Sequence, residues 1–89
     1  MRIRRMIVRA VNKIRGVDAF TLYETRCKSR VMLATLALYM NLPYIVIADW
    51  EMEYAAIPKT QYEKAMKYLR ERMDEREWME EHGRAERWH

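Results

Sequence analysis

The stretch ETRCKSRVMLATLALYM, residues Glu24 to Met40, decides the reading of the fold. A basic segment (Arg26, Lys28, Arg30) runs straight into a strongly apolar one. Thr25 or Ser29 can open a helix there, carrying Val31, Met32, Leu33, Leu36, Ala37, Leu38, Tyr39 and Met40. A helix apolar nearly all round has nowhere to lie but the centre of a core. Leu33, Leu36, Ala37, Tyr39 and Met40 are therefore expected on the most buried helix. It ends near Asn41, because Pro43 disfavours helical geometry at Leu42.

Downstream, Tyr44–Ala48 (YIVIA) has the β-branched content of a strand. No second strand candidate exists to pair with it, and an unpaired strand leaves backbone donors and acceptors orphaned. Tyr44–Tyr54 therefore reads as helix, with Ile47, Trp50 and Tyr54 on one face. Residues 55–58 break it. Pro58 suits the first turn of another helix, whose inward stripe is Tyr62, Ala65, Met66, Leu69 and Met73. Helical composition continues through DEREWMEEH, and Gly83 is expected to stop it. Upstream, Ile3, Ile7, Ala10, Val11 and Ile14 share a helical face with Met6 beside them, and Gly16 is a C-cap candidate. That stripe is expected to pack on the core. Asp18 can cap a turn holding Phe20, Leu22 and Tyr23.

These elements compose an all-α domain over residues 1–82, a small helix-turn-helix bundle with an extended C-terminal helix, followed by a frayed tail over 83–89. Two glycines and two prolines in 89 residues leave few places to break the chain, which agrees. Cys27 has no partner for an internal disulfide, so a reducing cytoplasm is the default location. No apolar run reaches the roughly 18 residues of a membrane span.

The net charge of +4 hides an asymmetry. Residues 1–30 carry nine basic residues against Asp18 and Glu24, while residues 31–57 carry only acids. A positive field confined to one part of the chain suits a polyanion. With a helix-turn-helix frame, double-stranded DNA is the first partner to consider. A membrane-surface helix or targeting presequence fits residues 1–16 in composition, but a core-packing helix is more economical.

The same residues resemble the C-terminal DNA-binding domain of the bacterial replication initiator DnaA, which has a Trp repressor-like helix-turn-helix fold. Where that family carries a pattern close to A-R-Q-I-A-M-Y-L, this chain has Leu33 to Met40, and Leu36 to Met40 keep its I-A-M-Y-L character. The family's upstream Gly-Val and Leu fall on Gly16-Val17 and Leu22, its basic stretch on Arg26 and Lys28. Its Leu-x-x-Ile-x-x-x-Phe helix is matched by Ile47, Trp50 and Tyr54. Its recognition helix falls on Pro58 to Tyr62, then Ala65 and Leu69. The resemblance spans about Ile3 to Arg72. Ala34 replaces the arginine of A-R-Q, Ala55-Ala56-Ile57 replaces Gly-Gly-Arg, and of Asp-His-Thr-Thr only Thr60 is kept. No phosphate-binding G-x-x-x-x-G-K-[ST] motif is present.

The resemblance implies a DNA-binding regulator of replication or transcription, such as a phage or mobile element would carry. Lys59, Thr60 and Gln61 would face base edges at the start of the recognition helix, where Gln reads adenine and Lys reads guanine or phosphate. Lys64 and Lys67 would reach the backbone further along, and Arg26, Lys28 and Arg30 would hold phosphates before the central helix. Arg2, Arg4 and Arg5 could act as a minor-groove or backbone arm. Against these stand ordinary solvated helix faces. An enzyme is not expected. His82 and His89 lie near the end, Cys27 has no evident histidine partner, and Glu80-Glu81-His82 lacks metal-ligand spacing. No cofactor or metal is expected. The rival reading is a helical protein-interaction module, a homodimer or a binder of a host protein, using Trp78, Met79 and Trp88.

Overall fold

The computed structural model describes residues 2–87, with side chains over 3–82. Among these residues the chain forms five helices and no strand: α1 (Arg2–Arg15), α2 (Ala19–Lys28), α3 (Leu33–Met40), α4 (Tyr44–Glu51) and α5 (Lys59–Arg87). No single helix there is long and apolar enough to cross a membrane.

Local chemistry sets most of the boundaries. Gly16 leaves α1 at φ 74°, a conformation that costs glycine little. The Val17 N–H then donates to the Asn12 carbonyl and the Gly16 N–H to that of Lys13. The Asp18 carboxylate caps α2, accepting from the Thr21 N–H at 3.0 Å and the Thr21 hydroxyl at 2.6 Å. Asn41 ends α3 at φ 57°, and asparagine tolerates the left-handed region better than most residues. Pro43 then turns the chain through 117° into α4. YIVIA is helical. This helix ends at Glu51, short of Tyr54, with Glu53 at φ 63°.

The core is built from α2, α3, α4, α5 and the 52–58 connection. Leu22, Leu36, Ile47, Ile57 and Leu69 are fully buried, one from each. Around them close Ala37, Met40, Trp50, Ala65 and Met66. α2 packs on α5 and α4, and α3 on α4 and α5.

Four sequence expectations are corrected. The central helix begins at Leu33, not at Thr25 or Ser29. The Ser29 hydroxyl donates back to the Arg26 carbonyl and Arg30 turns left-handed at φ 56°, so residues 26–30 close α2 instead of opening α3. Tyr39 and Leu38 are exposed, because α3 packs on α4 and α5 through one face only, that of Leu36, Ala37 and Met40. α5 passes through Gly83 and remains helical to Arg87. One helical glycine costs only about 1 kcal/mol, and its neighbours are strong helix formers. The expected tail over 84–87 is thus helix, while 88–89 lie outside the described residues.

The fourth correction concerns α1. Its isoleucine stripe points away from the body, and Ile3, Met6, Ile7 and Ile14 are exposed. The docked side instead carries Val8 and the buried amide of Asn12, whose Oδ1 accepts the Ile57 N–H at 2.9 Å. The Arg15 guanidinium donates to the Ile57 carbonyl at 3.2 Å. These bonds satisfy the backbone of a residue that the core swallows whole, which is costly to leave unpaired.

One pH effect follows from the packing. Tyr62 is half-buried on α5, and burial, reinforced by the Asp18 carboxylate, raises its phenol above the ordinary value of 10.0. The unfolded chain then ionises first. The stabilising contribution is complete below pH 10 and is lost as pH climbs through the folded-state value. Tyr62→Phe should keep more of its stability than wild type in melts above pH 10, with the two proteins running parallel below it. A constant gap across the whole range would refute the assignment.

Candidate nucleic-acid interface

The basic residues divide into those already engaged in holding the fold and those left on a surface. Arg26 belongs to the first group. Its Nε donates to Glu51 Oε2 at 2.7 Å and Nη2 to Oε1 at 2.9 Å, a two-pronged pair joining the ends of α2 and α4. Its Nη1 donates to the Val31 carbonyl at 3.2 Å. The side chains of Arg26 and Glu51 are only 15% and 7% exposed. The Glu51 hydrogen bonds raise the Arg26 pKa further above its already high normal value. Arg5 donates to the Tyr54 hydroxyl at 3.1 Å and sits over its ring. Arg9 makes a two-pronged pair with Glu53. The expected arm at residues 2–5 is therefore a turn of α1. Arg4 is exposed, and the side chain of Arg2 lies outside the described residues. Lys28 is on the surface, paired with Glu24 at 2.8 Å across one helical turn.

The second group remains on the surface of α5 and the parts of α3 beside it. Lys59, Thr60, Lys64 and Lys67 are exposed on the first turns of α5. Spacings of three and four residues put Thr60, Lys64 and Lys67 on one face. The Lys64 ammonium lies 5.5 Å from the Tyr39 ring centroid. Tyr39 stacks on Tyr68 with centroids 4.1 Å apart and planes 16° from parallel. The Arg72 guanidinium lies 5.2 Å from the Tyr68 centroid. Cation, ring, ring and cation thus follow one another from α5 to α3 and back. Tyr68 and Arg72 also line an open groove of about 970 Å³, whose α5 wall continues through Glu75, Arg76, Met79 and Glu80 and whose other wall includes Arg30, Met32 and Thr35. Arg72 donates to Glu75 at 2.9 Å, so part of its charge is balanced locally.

Gln61 does not share this exposure. It is half-buried, and its Oε1 is enclosed without a hydrogen-bond partner among the described residues. Of the three side chains expected to face bases, Lys59 and Thr60 reach solvent and Gln61 turns inward. α4 carries no basic residue.

Tyr39, Tyr68 and Arg72 are the members that sequence reading passed over. A signal for two of them exists: Lys64, Tyr68 and Arg72 repeat every four residues and so line up along α5. Tyr39 was hidden in an apolar run. Among the described residues, no cluster of histidine, cysteine and carboxylate side chains could hold a metal ion. Cys27 is exposed.

No protein-family model matches this chain, and neither a curated protein nor a solved structure is detectably similar to it.

Proposed function

We propose that this is a double-stranded DNA-binding protein that offers the opening of α5 to the duplex, serving as a regulator of replication or transcription. The observation that carries the reading is the strip Lys64–Tyr39–Tyr68–Arg72, with Arg30 across the groove and with Lys59, Thr60 and Lys67 exposed on the first turns of the same helix. Lys59, Lys64, Lys67, Arg30 and Arg72 neutralise phosphates, and the counterions they displace supply the binding free energy. Thr60 reaches a phosphate or a thymine methyl. Stacked tyrosines stiffen the platform that aims the cations. The resemblance of residues 3–72 to the initiator's DNA-binding domain supports the same reading.

Five phosphate contacts correspond to a slope of about −4 to −5 in log affinity against log salt. Arg30→Ala/Lys64→Ala/Lys67→Ala should weaken binding to every duplex alike and flatten that slope by about 2–3. Fluorescence anisotropy with two unrelated duplexes at several salt concentrations measures both quantities. Salt-independent binding by wild type, or an unchanged slope in the triple variant, would remove DNA from this face.

A second reading, a protein-interaction module, is favoured by one specific observation. Trp78 and Met79 are 60% and 66% exposed on the part of α5 that overhangs the core.

A further inference from the structure

Two uncovered apolar features among the described residues carry opposite charge. α1 presents Ile3, Met6, Ile7 and Ile14 outward, with Ile14 86% exposed. The helix holds six basic residues and no acidic one. Arg4 and Lys13, both exposed, lie on either flank of the stripe. At the far end, residues 74–81 of α5 hold Asp74, Glu75, Glu77, Glu80 and Glu81 against Arg76 alone. There the Trp78 ring stacks on His82 at 4.0 Å and stays exposed. Asp74, one turn before it, and Glu81, one turn after, share its side of the helix.

These two surfaces cannot meet within one chain. α1 is fastened to Glu53, Tyr54 and Ile57, just ahead of Lys59. From Lys59 to Trp78 the helix runs roughly 28 Å at about 1.5 Å per residue. The molecule's long axis of 58 Å reflects that separation. We propose that the occupant of the α1 stripe is a second copy of this chain, whose acidic, Trp78-bearing segment of α5 lies along it. Isoleucines cover the indole, and Arg4 and Lys13 face Asp74 and Glu81. Pairing α1 with another α1 would set two basic surfaces together. Pairing it with α5 brings opposite signs together, which speeds encounter and selects the register. The proposal stands apart from DNA binding, since it uses none of the strip from Lys64 to Arg72.

The test exploits the reciprocity of such a pairing. Arg4→Glu/Lys13→Glu reverses one surface, and Asp74→Lys/Glu81→Lys reverses the other. All four positions are exposed, so circular dichroism should show wild-type helicity in both variants. Sedimentation velocity over a concentration series should show wild type self-associating, more weakly as salt rises. Each variant alone should associate roughly 100-fold less tightly, because both of its contacts then set like charges together. Mixed in equal amounts, the two variants should associate again, since every contact in the mixed pair is complementary. A wild type that stays monomeric up to millimolar concentration would overturn the proposal. So would loss of association in the α1 variant but not in the α5 variant, which would indicate α1 pairing with α1. Failure of the mixture to recover has the same force.

Discussion

Leu36→Asp leaves this chain unfolded at 25 °C. Leu36 is fully buried on α3 among residues contributed by α2, α4 and α5. Removing a buried leucine side chain costs about 2–5 kcal/mol in transfer and cavity terms. The carboxylate that replaces it has no cation within the core to pair with, and it either stays charged at further cost or takes up a proton from water. A chain of this length has a total stability of about 5–13 kcal/mol, so the two costs together remove most or all of it. Leu38→Asp is the matched control, two residues along the same helix and 83% exposed. It should shift stability by no more than about 0.5 kcal/mol. Far-ultraviolet circular dichroism and thermal melts distinguish the two directly. A cooperative melt near the wild-type temperature for Leu36→Asp would contradict the packing described above, as would collapse of Leu38→Asp.

Breaking the Arg26–Glu51 pair should have the next largest effect. Both side chains are mostly withdrawn from water, and Glu51 supplies both oxygens. Glu51→Ala leaves the guanidinium facing Val31 and the Tyr23 ring with no counter-charge, at a cost of about 3 kcal/mol. Arg26→Met/Glu51→Leu removes both charges and keeps apolar volume, so it should lie much closer to wild type, within about 1 kcal/mol. Urea denaturation of the three proteins gives the comparison. Should the double variant be as unstable as Glu51→Ala, the loss comes from packing and not from a stranded charge.

That pair also illustrates where sequence reading stopped. Arg26, Lys28 and Arg30 look alike in a string of residues, three alternate bases ahead of an apolar run. Their fates diverge because Glu51, 25 positions on, is brought to one of them by the fold, while Glu24 takes the second and Arg30 is turned onto the groove. The all-helical class, the caps at Gly16 and Asp18, the breaks at Pro43 and Pro58 and the inward stripe of α5 depend on local chemistry and periodicity, so they were legible. The orientation of α1 was not. Periodicity identifies which side of a helix is apolar, but docking here is made by polar side chains, the buried amide of Asn12 with Arg5, Arg9 and Arg15. The candidate interface was half legible for a similar reason. Lys59, Thr60, Lys64 and Lys67 occupy the opening turns of a helix that sequence can locate. The stacking of Tyr39 on Tyr68 joins residues 29 positions apart and needs the packing of α3 on α5.

The way α1 is fastened sets how it comes loose. Within one chain it is held by polar clips at Arg5, Arg9, Asn12 and Arg15 and by buried Val8, while Ile3, Met6, Ile7 and Ile14 are left uncovered by the rest of that chain. Detaching it uncovers little new apolar surface, so this opening carries a small heat-capacity change and a weak response to urea. Such an opening lies well below global unfolding in free energy and leaves the four-helix core intact. The amides of α1 accordingly exchange with solvent as a unit of their own, on a scale set by salt and charge more than by temperature.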